Sequence, residues 1–218
     1  MTNQMLDAAH NRADDVRELF WSTLVIGEPL NFRLAFRRRY ESLALGWYLK
    51  KSGSDSVVAV VDDKVVGYAL VCRNESELSR WMVMRTPLYL FLLFVALVSG
   101  RLNAPNRRFY ANRVRDMWAA ARVRHESDDH PRVSAHVNIL GDYRSGAVAL
   151  LLRDHVDRIA VISNEKVWLG EVSSVGTSRL RALARVVGEV QSTRPCYTLS
   201  GLSGEDVLIA SVVRRIAA

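Results

Sequence analysis

The sequence predicts an α/β protein with a mixed central sheet flanked by helices, folded as a single domain over residues 1–218. Three observations carry that prediction. Two β-branched runs, 57–61 and 65–71, are separated only by Asp62, Asp63 and Lys64, which is the signature of an antiparallel hairpin. A strand-like run over 132–140 passes through a short glycine-containing segment straight into a helical pattern over 147–160. Helical spacing of apolar residues recurs elsewhere along the chain, before and after these strands.

From the N-terminus, Val16, Leu19, Phe20 and Thr23 recur at helical spacing, with Asp14 and Asp15 placed to suit the positive end of a helix over 13–24. A second helix is expected over 31–51 from Leu34, Tyr40, Leu43, Trp47 and Leu49, with Gly53 beyond its end. After the hairpin about sixty residues precede the next β-rich run, too many for a plain loop, so 73–131 reads as a helical insertion. Within it Thr86-Pro87 has the form of a helix start and Gly100 of a stop, while every residue from Leu88 to Val98 is apolar. That uninterrupted run is shorter than a membrane span needs. It fits a core or homodimer contact, the wall of a hydrophobic acceptor site, or peripheral contact with a membrane.

Residues 107–124 interleave Phe109, Val114, Met117, Trp118 and Ala121 with arginines, an amphipathic basic helix whose charges are expected to face solvent or an anionic partner. Further on, 167–174 reads as a strand, 177–190 as a helix ending at Gly188, and 196–216 as two strands around Gly201 to Asp206.

With 49% hydrophobic and 24% charged residues, the composition is that of a globular chain with a substantial core. Cys72 and Cys196 stand far apart and in no metal-ligand spacing, which argues against a disulfide framework or a zinc site and for a reducing compartment, the cytoplasm. Met1 to His10 is polar and lacks a basic stretch followed by an apolar run, so no secretory signal is expected. His125, Asp128, Asp129 and His130 read as a polar loop, not as a metal site. The net charge of +7 suits any polyanion, but the basic helix presents no aromatic stacking platform and matches no DNA-reading motif, so no nucleic acid is expected.

The chemistry concentrates where the 132–140 strand meets the following helix. The first turn of a helix carries N–H groups without intrahelical partners, and the dipole adds positive potential, so such a junction attracts anions. Here Ser145, Gly146, Ala147 and Ala149 are small enough to let a pyrophosphate reach the backbone, and Arg144 can add a charge-assisted contact. Small residues that pack a helix start against a sheet give the same pattern.

The order of elements together with Arg144-Ser145-Gly146-Ala147-Val148-Ala149 resembles the GNAT superfamily of N-acyltransferases from about residue 13 to 216. The family's loop reads Gln/Arg-x-x-Gly-x-Gly/Ala; its first glycine is Ala147 here, with Gly146 one place earlier, and Gly141 stands where the family often has proline. On this resemblance the helical insertion 73–131 lies between the third and fourth strands of the domain. The resemblance also implies acetyl-CoA or a longer acyl-CoA as donor, Val137, Asn138 and Ile139 beside its acyl and pantetheine portion, and residues 144 to 149, Val148 included, on its pyrophosphate. An amine acceptor would attack the thioester directly, so a base is required. Glu171 resembles the glutamate on the corresponding strand of the ribosomal-protein alanine acetyltransferases. His136, two residues before Asn138 on the same strand face, is the other candidate.

In the family's following helix a tyrosine often serves as the acid. Alignment on Gly188 puts Ala184 at its place, leaving Tyr197, Ser174 or water. The sequence thus leads to an N-acetyltransferase for a primary amine. A catalytically degenerate acyl-CoA-binding module and a peripheral membrane-associated protein stand as alternatives.

Overall fold

A computed structural model of the chain describes residues 4–124, 131–143, 146–176, 180 and 188–216. Seven strands form one sheet in the order β1-β2-β3-β4-β5-β7-β6: β1 (Gln4–Ala8), β2 (Val57–Val61), β3 (Lys64–Cys72), β4 (Ser134–Ile139), β5 (Val167–Val175), β6 (Glu189–Pro195) and β7 (Val207–Arg215). Every neighbouring pair is antiparallel except β4 and β5. The β2–β3 turn is the hairpin the sequence predicts. Asp62 and Asp63 both take positive φ, 48° and 64°, as a two-residue turn matched to the twist of its strands requires.

Alternation along β2 and β3 sends side chains to two cores. On one face Val58, Val60, Tyr68 and Leu70 pack with α1 (Ala13–Ser22) and α2 (Arg37–Lys51), through Val16, Leu19, Phe20 and Leu45. On the other face Ala59, Val66, Ala69 and Val71 meet α5 (Gly146–Ile162), whose Val148, Leu152, Val156 and Ile159 recur at helical spacing. Polar ties hold α5 in place. Asp157 accepts from Trp168 Nε1 at 2.6 Å and pairs with Arg214 at 3.1 Å, while the His155 ring nitrogen Nε2 lies 2.9 Å from the Asp55 carbonyl.

The interval between β3 and β4 is occupied by α3 (Glu75–Val98) and α4 (Ala104–Arg124). The expected start at Thr86-Pro87 is corrected: the helix begins at Glu75, and Pro87 lies inside it with its ring exposed. At 24 residues and a rise of ~1.5 Å per residue, α3 is by length and composition long enough to cross a bilayer. Both of its ends adjoin the sheet, through β3 before it and through α4 after it.

The apolar face expected for α4 is corrected as well. Phe109 is buried as expected, but Val114, Met117 and Trp118 are exposed, and Asn106, Tyr110 and Asp116 are buried with Phe109. The second helix begins at Arg37 and not near residue 31. Residues 4–8, read from sequence as a polar tail, form an edge strand registered with Gln4 opposite Val61. The first of the two strands expected in 196–216 is a helix, α6 (Tyr197–Ser203), followed by β7. The helix expected over 177–190 falls mostly outside the described residues. Gly188, expected to end it, enters β6 with φ 149°, where a Cβ would stand 2.5 Å from the Val213 carbonyl oxygen.

α6 forms because α4 supplies its cap. Asp116 accepts the Tyr197 and Thr198 N–H groups at 2.7 and 3.3 Å and pairs with Arg113 at 3.6 Å. Asp116→Ala leaves those buried donors without a partner, at a cost of about 1–3 kcal/mol. Urea denaturation is expected to show that loss, with Asp116→Asn, which keeps one acceptor, recovering part of it.

Candidate functional site

The site grows from the one parallel pair among the described strands. β4 and β5 are joined at Ser134↔Leu169 and Ala135↔Gly170 and then part, while β5 stays paired with β7 along its whole length. A wedge opens between Val137–Ile139 and Val172–Ser173, and a cavity of about 340 Å³ fills it. The Leu140 N–H donates to the Val66 carbonyl at 2.9 Å, which sets the alternation along β4. Residue 138 directs its backbone groups at β3, whereas 137 and 139 direct theirs at the wedge.

The Asn138 side chain acts as a tie. Its amide donates to Thr23 Oγ1 at 2.5 Å at the end of α1, and its Oδ1 accepts the Ile139 N–H at 3.0 Å. Sequence reasoning placed the whole 137–139 stretch in one role, and the pairing separates it into two.

At the mouth of the wedge stands the N-terminus of α5. Gly146 and Ala149 line the cavity, Ala147 is exposed, and Val148 is buried in the core against the sheet. A Cβ on Gly146 would meet no atom within 4 Å, so this first turn is sterically open. Arg144 and Ser145, expected on the pyrophosphate, lie outside the described residues. So do His125, Asp128, Asp129, His130 and Ala184. Among the described residues no group of three or more His, Cys, Asp or Glu could hold a metal.

On the α1–α2 side a second cavity, of about 1180 Å³, adjoins the wedge, and His136 and Glu171 line both spaces. The two candidate bases share this face because β4 and β5 are in register just before they separate. His136 is partly buried, its ring edge-to-face with Tyr68 at 5.6 Å between centroids. Burial pushes its pKa down, which the nearby Glu171 carboxylate opposes, so the imidazole is neutral at pH 7.

Glu171 is held by a residue the sequence did not reveal. Arg194 of β6, its side chain 11% exposed, lies 2.8 Å from the half-exposed Glu171 carboxylate and lines the larger cavity. Tyr40, Tyr48, Phe109 and Leu202 make much of the cavity wall apolar, with Glu75 and Arg113 adding charge. Burial also pushes the Tyr48 phenol well above its ordinary pKa, so it stays protonated. The two candidate acids from sequence are elsewhere. Ser174 is fully buried and directed at the Gly176 carbonyl at 3.2 Å, and the Tyr197 ring packs beneath Arg115; neither lines either of these two cavities.

A mixed sheet flanked by helices, with one strand leading through a short loop into a helix N-terminus, is the arrangement that the GNAT resemblance implies; the parting of β4 from β5 is added by the structure. No family model and no curated protein matches the sequence. Solved structures do match it over nearly the whole chain. The polyamine N-acetyltransferase of Drosophila melanogaster shares 11% identity, covering 98% of this chain and 100% of its own, with a TM-score of 0.54. An agmatine N-acetyltransferase shares 10% over 98% and 99%, with a TM-score of 0.53. The protein SsHAT shares 12% over 99% and 100%, with a TM-score of 0.62. At such identities the likeness establishes the fold: this chain has the α/β fold of the GNAT N-acetyltransferases, here with α3 and α4 between its third and fourth strands.

Proposed function

We propose that the chain is a single-domain, cytoplasmic N-acyltransferase that carries an acetyl group from acetyl-CoA to a primary amine. The observation that carries this reading is the continuity of the site. One wedge leads from the open first turn of α5, past the backbone of Val137 and Ile139, to a cavity where His136 and Glu171 stand together. The acetyltransferase fold supports the same reading, and the free thiols of Cys72 and Cys196 accord with a reducing compartment.

The residues present fit acyl-CoA. The N–H groups at Gly146, Ala147 and Val148 have no intrahelical partners and would receive the pyrophosphate, with Ala149 small enough to let it approach, and Arg144 and Ser145 preceding them in sequence. Val137 and Ile139 would flank the pantetheine arm in the wedge, and the Asn138 tie to α1 would keep β4 splayed. When bound, the donor supplies a thioester carbonyl. His136 or Glu171 takes a proton from the acceptor ammonium, and the freed lone pair forms the new C–N bond as the C–S bond breaks. The nitrogen, once acylated, would shed its second proton to the leaving thiolate, directly or through water, so that amide and free thiol result.

The breadth and aromatic lining of the larger cavity favour an amine with an apolar body. Calorimetric titration with acetyl-CoA, followed by thiol-release assays across amine acceptors, tests the reading. Binding with turnover, and a preference for aromatic or long aliphatic amines over small polyamines, is the expected result. Binding without turnover on any amine would assign an acyl-CoA-binding module instead, and absence of binding would overturn the site.

A further inference from the structure

We propose that α3 is a membrane-docking element that lays its outer side into the surface of an anionic lipid bilayer. The inference rests on the helix alone and is independent of the acyl-transfer reading. α3 packs on the domain through one stripe, Tyr89, Leu93 and Ala96, all buried at i, i+4 and i+7. A soluble helix with such a stripe carries polar residues on its other side. This one does not. Met84, Leu88, Phe91, Val95 and Val98, at i, i+4, i+7, i+11 and i+14, form an opposing apolar stripe, with Phe94 beside it. Phe91 and Phe94 are 61% and 63% exposed and Val98 is 71% exposed, so large apolar side chains stand in open solvent along the length of the helix.

Charge decides what covers it. From Leu78 to Arg115 the chain has seven arginines and no Asp or Glu. Arg80 and Arg85 precede the apolar stretch, and Arg101, Arg107 and Arg108 follow it; all five are exposed and none pairs with a carboxylate among the described residues. Arg85 stacks on Trp81, 3.6 Å from the ring centroid. An apolar ridge bracketed by unpaired cations matches the acyl region and headgroups of an anionic leaflet. A second copy of this chain would bring the same cations toward each other around a convex ridge, a poor basis for a dimer. The attachment of both helix ends to the domain makes the contact a peripheral one, with the helix in the plane of the interface. Glu75 and Leu78, in the first turn of the same helix, line the larger cavity, so docking would hold that cavity close to the lipid surface.

The test is co-sedimentation of the full chain with vesicles of phosphatidylglycerol and phosphatidylcholine in equal parts, and with phosphatidylcholine alone, at low and at physiological salt. Binding is expected to the anionic vesicles, weakened by salt, and to be much lower on phosphatidylcholine alone. Phe91→Glu with Phe94→Glu replaces only exposed side chains, so circular dichroism and the melting temperature should stay as in the parent while vesicle affinity falls by about tenfold or more. Arg85→Glu with Arg101→Glu should remove the preference for anionic lipid. Failure of the parent to sediment with anionic vesicles at low salt would overturn the proposal, as would binding that the phenylalanine variants leave unchanged. A parent that is dimeric by analytical ultracentrifugation, made monomeric by those variants and indifferent to vesicles, would assign α3 to a homodimer interface instead.

Discussion

Replacing Gly146 by Asp is expected to weaken acetyl-CoA binding by on the order of 10²–10³-fold, the range a unit charge placed about 4 Å from a pyrophosphate commands at an intermediate effective dielectric. The variant separates binding from folding cleanly. A Cβ at this position meets nothing within 4 Å, so the side chain enters without a clash. A carboxylate in the first turn of α5 also suits the helix dipole, and the melting temperature should hold or rise slightly. Loss of affinity in a protein of parental or greater stability therefore reports charge repulsion at the anion site. Ala147→Asp, one residue further into the same exposed turn, is expected to behave alike. Unchanged calorimetric affinity in both would remove the pyrophosphate from α5, however well the fold matches.

The second large effect concerns the base, where His136 and Glu171 make opposite forecasts. If Glu171 takes the proton, Glu171→Gln keeps the shape and a hydrogen bond to Arg194 but loses basicity, and turnover should drop by ~10²–10⁴-fold with little change in acetyl-CoA affinity. His136→Gln should then be mild. If His136 is the base the pattern reverses, and the acid limb of the rate profile carries its own signature. Burial lowers the pKa of His136, so the neutral, proton-accepting form persists to lower pH than for an ordinary imidazole. The fall in rate on the acid side should therefore lie at lower pH than an ordinary imidazole would give. Retention of most activity by both single variants and the double variant would show that the acceptor loses its proton to solvent and that the protein acts by positioning.

How far these sites could be seen in advance depended on the range of the interactions that create them. The strand, glycine-containing loop and helix of β4 and α5 were legible because each is specified locally. β-branched alternation, small residues at the junction and apolar residues at helical spacing sit within a few turns of chain. On that basis Gly146, Ala147 and Ala149 could be proposed as an anion site, and Glu171 and His136 as candidate bases from the strand positions that the resemblance implies. The hairpin at Asp62-Asp63 was legible for the same reason.

The features that escaped the sequence have partners distant in the chain. Residues 4–8 carry no β-branched run to announce a strand and pair as one along the edge that β2 offers. α6 has the composition of a strand and folds as a helix because Asp116, 81 residues before Tyr197, caps its first turn. The outward face of α4 carries Trp118 and Met117 because Phe109, Tyr110 and Asp116 are drawn to the core instead. Periodicity shows that a helix has two faces, but the surrounding packing selects which one is buried.

By itself, then, the sequence determined the fold class, the central hairpin, the junction at α5 and the apolar character of α3. Tertiary structure decided that β4 and β5 part after a single short ladder, which opens the wedge and brings His136 and Glu171 to one cavity. It placed Arg194 against Glu171 across 23 residues of chain, and it left the outer side of α3 bare. Local patterns are written in propensity and spacing, whereas a separation of strands, a remote ion pair and an uncovered surface depend on which elements meet in space, and none of these has a period to read.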